Sequence, residues 1–404
     1  MTENSNAAAK TRSIVIFTLL SSVSWMIYKV AFNLFLRERG FDNQFIGTIA
    51  SYEMIGSAIL GLVIAVLGDR FGKKRVLVGI SFGFGLVLIL KVSFPIPAFL
   101  LSIAFLSGGL QMSRMMLLNS LLIDLTDHGS RGKAFGLNFG VQMGSGLFGN
   151  FIGGVLGEQI GMTSTLIIAA LLYILSNVFL AKIPNIKPGK LLPLRVFFDI
   201  RGLLPAERST VTNHLLETFF VSFGAGLFVN FGNIIFKDLF DLSPTMIGTA
   251  LSIAQLGAGI GSVLSWRLAR RYGAVSYVGL LTFLVVPLII ALGFIRDPYI
   301  FTVFYAVRFS FMNMTNPVVT TCVLSNVPAD RVTAINSIKN TLNHISRAIA
   351  AAVFGLIVAL PSGYTILFLL SSVFYALGFF FLMRVLLPLK RAGKLQSLYG
   401  GEKS

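Results

Sequence analysis

The chain has 404 residues, 55% of them hydrophobic and 12% charged, about half the charged fraction of a soluble domain. That balance excludes an ordinary water-soluble globule, and the single cysteine, Cys322, excludes a disulfide framework and a cysteine metal site. The net charge of +17 is spread over short segments between apolar runs, so it marks membrane topology and not a nucleic-acid surface.

Apolar runs of about 20 residues, long enough to cross a bilayer, recur from end to end. Twelve helical spans are predicted at 13–36, 44–67, 76–94, 98–124, 134–157, 162–183, 209–236, 244–267, 276–294, 299–325, 332–359 and 362–387. Lipid offers the backbone no hydrogen-bond partner, and runs this long and continuous are helices, not barrel strands. The polar segment 1–12 carries Lys10 and Arg12. The run after it is too long for a signal-peptide core and lacks a small-residue cleavage site, so it reads as a retained first span.

Lys and Arg set the orientation. With the N-terminus inside, the inner segments hold Lys10, Arg12, Arg70, Lys73, Lys74, Arg75 and many more, whereas the outer segments hold only Arg37, Arg39, Lys91, Lys237 and Arg296. The positive-inside rule then places both termini in the cytoplasm. The longest loop, between Lys182 and Arg208, contains Pro184, Pro188, Pro193 and Pro205 and a basic amphipathic piece from Leu194 to Arg201. It is expected to lie on the inner membrane surface.

The two halves repeat. Ile46-Gly47-Thr48 recurs as Ile247-Gly248-Thr249, and the same offset aligns Gly56 with Gly257, Arg70 with Arg271, Phe71 with Tyr272 and Gly72 with Gly273. Asn33 meets Asn233, and Arg131 meets Arg331. A duplicated six-helix unit is the reading, and such symmetry puts a site between the halves near the midplane. The expected fold is an all-α membrane protein with 12 transmembrane helices in two pseudo-symmetric six-helix bundles. Its parts are an N-terminal tail (1–12), a first bundle (13–183), a linker (184–208), a second bundle (209–387) and a C-terminal tail (388–404).

Six plus six spans, a basic central loop and Gly68-Asp69-Arg70-Phe71-Gly72-Lys73-Lys74 after the second span resemble the major facilitator superfamily over essentially all of 13–387. Ala65 stands where the family usually has glycine, and Arg270 stands where the second copy would repeat Asp69. Arg131-Gly132-Lys133-Ala134-Phe135-Gly136 is similar to the family's turn into the fifth span. Gly149-Asn150-Phe151-Ile152-Gly153-Gly154 resembles its exporter-associated fifth-span motif, with Asn150 in the place of the proline.

The resemblance implies that the second span faces the eleventh. Asp69 then meets the free N–H groups near Val332, while Arg70 pairs with Asp124 or Asp127. With Gly72 at the turn, these residues form an expected cytoplasmic latch.

Charges inside spans need reasons. Glu53 and Arg347 lie about 14 and 18 Å from the outer ends of their spans at 1.5 Å per residue, so they are one candidate pair, and Lys29 is the competing partner for Glu53. Glu217 is a second candidate proton carrier. Asn336, Asn340, Asn343 and Arg347 form a polar stripe on the eleventh span, flanked by Lys339 and His344. By resemblance the fourth and tenth spans line the cavity. Gln111, Arg114, Asn119, Arg308 and Asn313 are then substrate candidates, with Trp25 and Asn233 from the first and seventh spans.

No nucleotide-binding loop, H-E-x-x-H or G-x-S-x-G is present, so no enzyme activity and no cofactor or metal is expected. The predicted activity is secondary active transport of a small-molecule substrate by alternating access, as proton-coupled export of amphipathic compounds. Uptake or exchange of an organic anion through the buried arginines is the alternative, and a non-transporting scaffold or receptor is a third reading. The chain is expected to work as a monomer in the lipid bilayer of a plasma or bacterial inner membrane.

Overall fold

The computed structural model describes residues 2–126, 128–181, 183 and 194–395, without the side chains of 2–11, 69, 128–133 and 194. Asp127 and the carboxylate of Asp69 therefore lie outside the described residues, which leaves Asp124 as the described acid of the expected latch. Among the described residues the ordered elements are all helical. They are α1 (Thr2–Glu38), α2 (Asn43–Phe71), α3 (Lys73–Ser93), α4 (Pro97–Asp124), α5 (His128–Ile160), α6 (Met162–Ala181), α7 (Pro205–Gly226), α8 (Gly232–Phe240), α9 (Pro244–Tyr272), α10 (Ala274–Leu292), α11 (Pro298–Leu324), α12 (Val332–Val358) and α13 (Gly363–Arg391).

Thirteen helices arise from twelve spans because the seventh is broken. Sequence periodicity predicts one helix over 209–236, but α7 stops at Gly226 and a 3₁₀ turn, Val229–Phe231, leads into α8. Gly224, Gly226 and Gly232 surround the break, and glycine costs an interior helix about 1 kcal/mol relative to alanine. The loosened backbone is re-satisfied locally: Ser371 donates its hydroxyl to the Gly224 carbonyl at 2.8 Å, as hydrocarbon requires.

Ten stretches among the described residues are long and apolar enough to cross a membrane, α7 and α8 counting as one. Neither α5, diluted by glycine, nor α11, which carries Arg308, Asn313 and Asn316, is among them.

The chain divides into two compact units: residues 1–192 with 241–252, and 193–240 with 253–404. Within the first unit α1 packs on α5 and α6, α2 on α4, and α3 on α4 and α6. Within the second, α7 packs on α12 and α13, and α10 on α11 and α13. The repeat is thus kept as packing. Leu77, Leu117, Leu118, Leu121 and Leu122 form the core of the first unit. Their counterparts 201 residues on, Val278, Val318, Val319, Cys322 and Val323, form a core of the second. Lipid tails are as apolar as leucine, so these contacts hold by close packing more than by exclusion of water.

Small residues make that closeness possible. A Cβ on Gly56 would lie 1.8 Å from the Phe105 carbonyl oxygen, and one on Gly108 1.8 Å from that of Glu53, so α2 and α4 touch backbone to backbone. In the first unit Gly154 of α5 meets the start of α9 in the same way, with Gly248 as its counterpart. The turn after α2 uses Gly72 at φ 93°, and the turn after α9 uses Gly273 at φ 81°, a left-handed conformation that other residues resist.

Candidate functional site

Buried cations stand in both units, Lys91 and Arg114 in the first and Arg308 in the second, where it lies beside the break in the seventh span. Arg308 of α11 is 2% exposed. Its guanidinium lies 4.6 Å from the Phe228 ring centre, at the break, and 5.0 Å from that of Tyr375 on α13, and it donates to the Tyr375 hydroxyl. Both contacts leave its Nε–H unpartnered. Arg347 of α12 is half-buried, and its Nε–H is also unpartnered. It lies within electrostatic range of Arg308 and of His344. Gly226 seats directly on it, since a Cβ there would stand 2.8 Å from the Arg347 Cα. Each of the two guanidinium groups thus keeps a spare Nε–H donor.

A second polar group lies one to three turns along α7. His214, 2% exposed, places Nδ1 3.1 Å from Glu217 Oε2, off the hydrogen-bonding angle. Lys339 of α12 lies within electrostatic range of Glu217 and donates to Thr320 Oγ1 at 3.0 Å. Asn343 donates to Ser222 Oγ at 2.8 Å. Asn343 of the polar stripe thus meets α7, and the flanking Lys339 meets α11, within their own unit.

The first unit carries its own charges. Arg114 of α4 is 8% exposed, donates to Ser21 Oγ at 3.4 Å, lies 5.8 Å from the Tyr173 ring and keeps an unpartnered Nε–H. Tyr173 and Tyr375 occupy matching places in the two repeats, so each unit lays one arginine on one tyrosine. Trp25 packs against Tyr28 and Phe84.

Glu53 is the main correction. Its carboxylate pairs with Lys91 of α3, which is 1% exposed and lies 4.2 Å from the Phe32 ring. Ser107 adds a hydrogen bond to the same carboxylate oxygen at 3.4 Å. Lys91 reads in sequence as an outer-loop charge; its place inside the last turn of α3 is the signal that was available. Lys29 is exposed on α1.

Other candidates are placed less centrally. Gln111 and Asn119 are half-buried on α4. Asn313 spends its amide on the Phe309 carbonyl at 2.8 Å, and Asn233 accepts from the Ile234 N–H at 3.0 Å, opening α8. At the basic end, Asp124 is held by Lys73 at 2.6 Å, while Arg70 lies over Phe71 at 5.3 Å. Arg271 lies over Tyr272 at 5.4 Å in the second copy. Lys74 donates to the Ala181 carbonyl at 2.9 Å and to that of Ile183, closing the end of α6. These lysines therefore hold helices together as well as marking topology.

The linker piece is tied to the entry of α12. Arg331, at the entry to α12, contacts the Asp199 carboxylate at 3.2 Å and donates to its carbonyl at 3.3 Å. Hydrogen bonds from the Arg201 backbone and side chain, reinforced by Arg331, hold the Asp199 carboxyl below the usual aspartate range.

No curated protein sequence matches the chain. Solved structures share its fold. The nucleoside transporter NupG superposes with TM-score 0.72 at 16% identity, covering 93% of this chain and 98% of that one. The POT family transporter PepTSo gives 0.75 at 13%, covering 96% and 98%. The human organic anion transporter MFSD10 (TETRAN) gives 0.63 at 15%, covering 93% and 99%. The sequence profile described as Major Facilitator Superfamily matches residues 14–351 and again 215–401, as a duplicated unit would. On that match, which spans most of its length, the chain belongs to the major facilitator superfamily, a family of multi-pass membrane transporters of small solutes, not enzymes.

Proposed function

We propose that the chain is a secondary transporter of small organic anions, with Arg308 and Arg347 as the groups that bind the anionic end of the substrate. The observation that supports this reading most is the pair of guanidinium groups with unpartnered Nε–H donors beside the break in the seventh span. A buried cation without a counter-ion is costly in a membrane protein, and an anionic solute that supplies the missing acceptors offsets that cost. Phe228 and Tyr375 provide an apolar wall for the rest of the molecule. Arg114 is a further candidate contact in the first unit.

Proton-coupled export of amphipathic compounds is the second reading. It is favoured by Glu217, half-buried with His214 beside it and Lys339 in range, a setting in which a carboxylate can exchange its proton for a lysine contact. Glu53, already neutralised by Lys91, is the weaker carrier.

Counterflow in proteoliposomes with a panel of organic acids, nucleosides and lipophilic cations tests the proposal. Anion counterflow that disappears in Arg308→Gln supports it. Transport of lipophilic cations with proton movement, retained in Arg308→Gln, would overturn it in favour of export.

A further inference from the structure

At the Lys/Arg-rich end of the second unit, where α7 begins and α13 ends, a cavity of about 520 Å³ lies between these two helices. Arg208, Ser209, Thr212 and Leu216 of α7 and Phe381 and Arg384 of α13 are among the residues that line it. The neighbouring acid, Glu207, is turned to the Leu204 backbone N–H at 2.9 Å, so it does not neutralise Arg208.

The lining is graded along the helices. On α7 the sequence Arg208, Thr212, Leu216 runs in steps of four residues, about 6 Å each, from guanidinium to hydroxyl to hydrocarbon. On α13 the same gradient runs backwards from Arg384 to Phe381. The surroundings are those of a membrane interface: Leu204 is 64% exposed, Phe380 54% and Leu216 37%. Arg201, on the adjoining linker, has a side chain 86% exposed.

We propose that this cavity is a binding site for an anionic phospholipid, with the phosphate held between Arg208 and Arg384 and the first acyl carbons along Leu216 and Phe381. Two guanidinium forks match phosphate oxygens, and the hydroxyls of Ser209 and Thr212 suit the remaining acceptors. A free phosphate ion shares the polar chemistry but makes no use of the apolar lining. A phospholipid satisfies both, and it is present wherever the chain resides. The site is separate from Arg308 and Arg347 and does not depend on what the protein carries.

Native mass spectrometry of the purified full chain tests this, after exchange into detergent containing phosphatidylglycerol or phosphatidylcholine. Wild type is expected to retain phosphatidylglycerol through delipidation and to release phosphatidylcholine. The Arg208→Gln/Arg384→Gln double variant is expected to lose roughly a hundredfold in retention, about tenfold for each charge-assisted contact removed. Arg267→Gln/Arg270→Gln removes the same charge at exposed positions of the same end and is expected to retain lipid as wild type does. Equal losses in the two double variants would reduce the effect to bulk charge and overturn the site. Displacement of phosphatidylglycerol by inorganic phosphate, or equal retention of both lipids, would overturn the lipid assignment.

Discussion

Lys91 of α3 is buried against Glu53 of α2, with Ser107 of α4 on the same carboxylate oxygen and Phe32 of α1 beneath the ammonium. One ion pair thus ties four helices of the first unit together. Lys91 is the more deeply buried partner, at 1% side-chain exposure against 23% for Glu53. Glu53→Gln, which strands it, is expected to cost roughly 3 kcal/mol, the lower end for breaking a buried pair. The Glu53→Gln/Lys91→Met double variant should recover most of that loss. Thermal unfolding in detergent is the check, and a double variant less stable than Glu53→Gln would contradict this account.

Arg308 should behave in the opposite sense. It is a buried cation without a carboxylate partner among the described residues, so Arg308→Gln is expected to leave unfolding temperature unchanged or raised while abolishing anion transport. Arg308→Lys keeps charge but loses the planar fork and should raise the transport KM about tenfold, one charge-assisted hydrogen bond's worth. A large fall in stability for Arg308→Gln would mark the residue as structural.

Glycines differ by position in a way that stability measurements can read. Gly108→Ala forces a methyl onto the Glu53 carbonyl and should cost about 1–3 kcal/mol, as overpacking does. Gly136→Ala meets open space and should be neutral or gain up to about 1 kcal/mol from helix propensity. The comparison fails if both substitutions have the same sign and size.

The Asp199–Arg331 tie gives a pH prediction. The folded-state pKa of Asp199 lies below its ordinary value of 3.8. The carboxylate form therefore contributes its stabilisation above that ordinary value, and the contribution is lost as pH falls through the lower folded value. A spin label at Phe198→Cys, in a Cys322→Ala background, should keep its restricted mobility from neutral pH to about pH 5 and loosen only below about pH 4. Asp199→Asn should be loose throughout. A transition near neutrality would assign the restraint to another group.

The spans, the duplication and the family were legible because each rests on local composition or on self-similarity. Residues 46–48 and 247–249 align without a gap, and the same offset reappears as matched cores and matched glycine turns. The break in the seventh span is legible only in hindsight, from three glycines within nine residues, since the apolar pattern runs through it unbroken.

By itself the sequence determined that this is a helical, duplicated membrane protein with buried arginines, because hydrocarbon imposes length and hydropathy on every span and charges stand out against it. Only the tertiary structure decided which charges meet. Glu53 found Lys91, and Asp124 found Lys73 where Arg70 was expected, because pairing depends on how each helix is rotated and which neighbour it faces. That is a property of side-chain packing across helices, and no single span carries it.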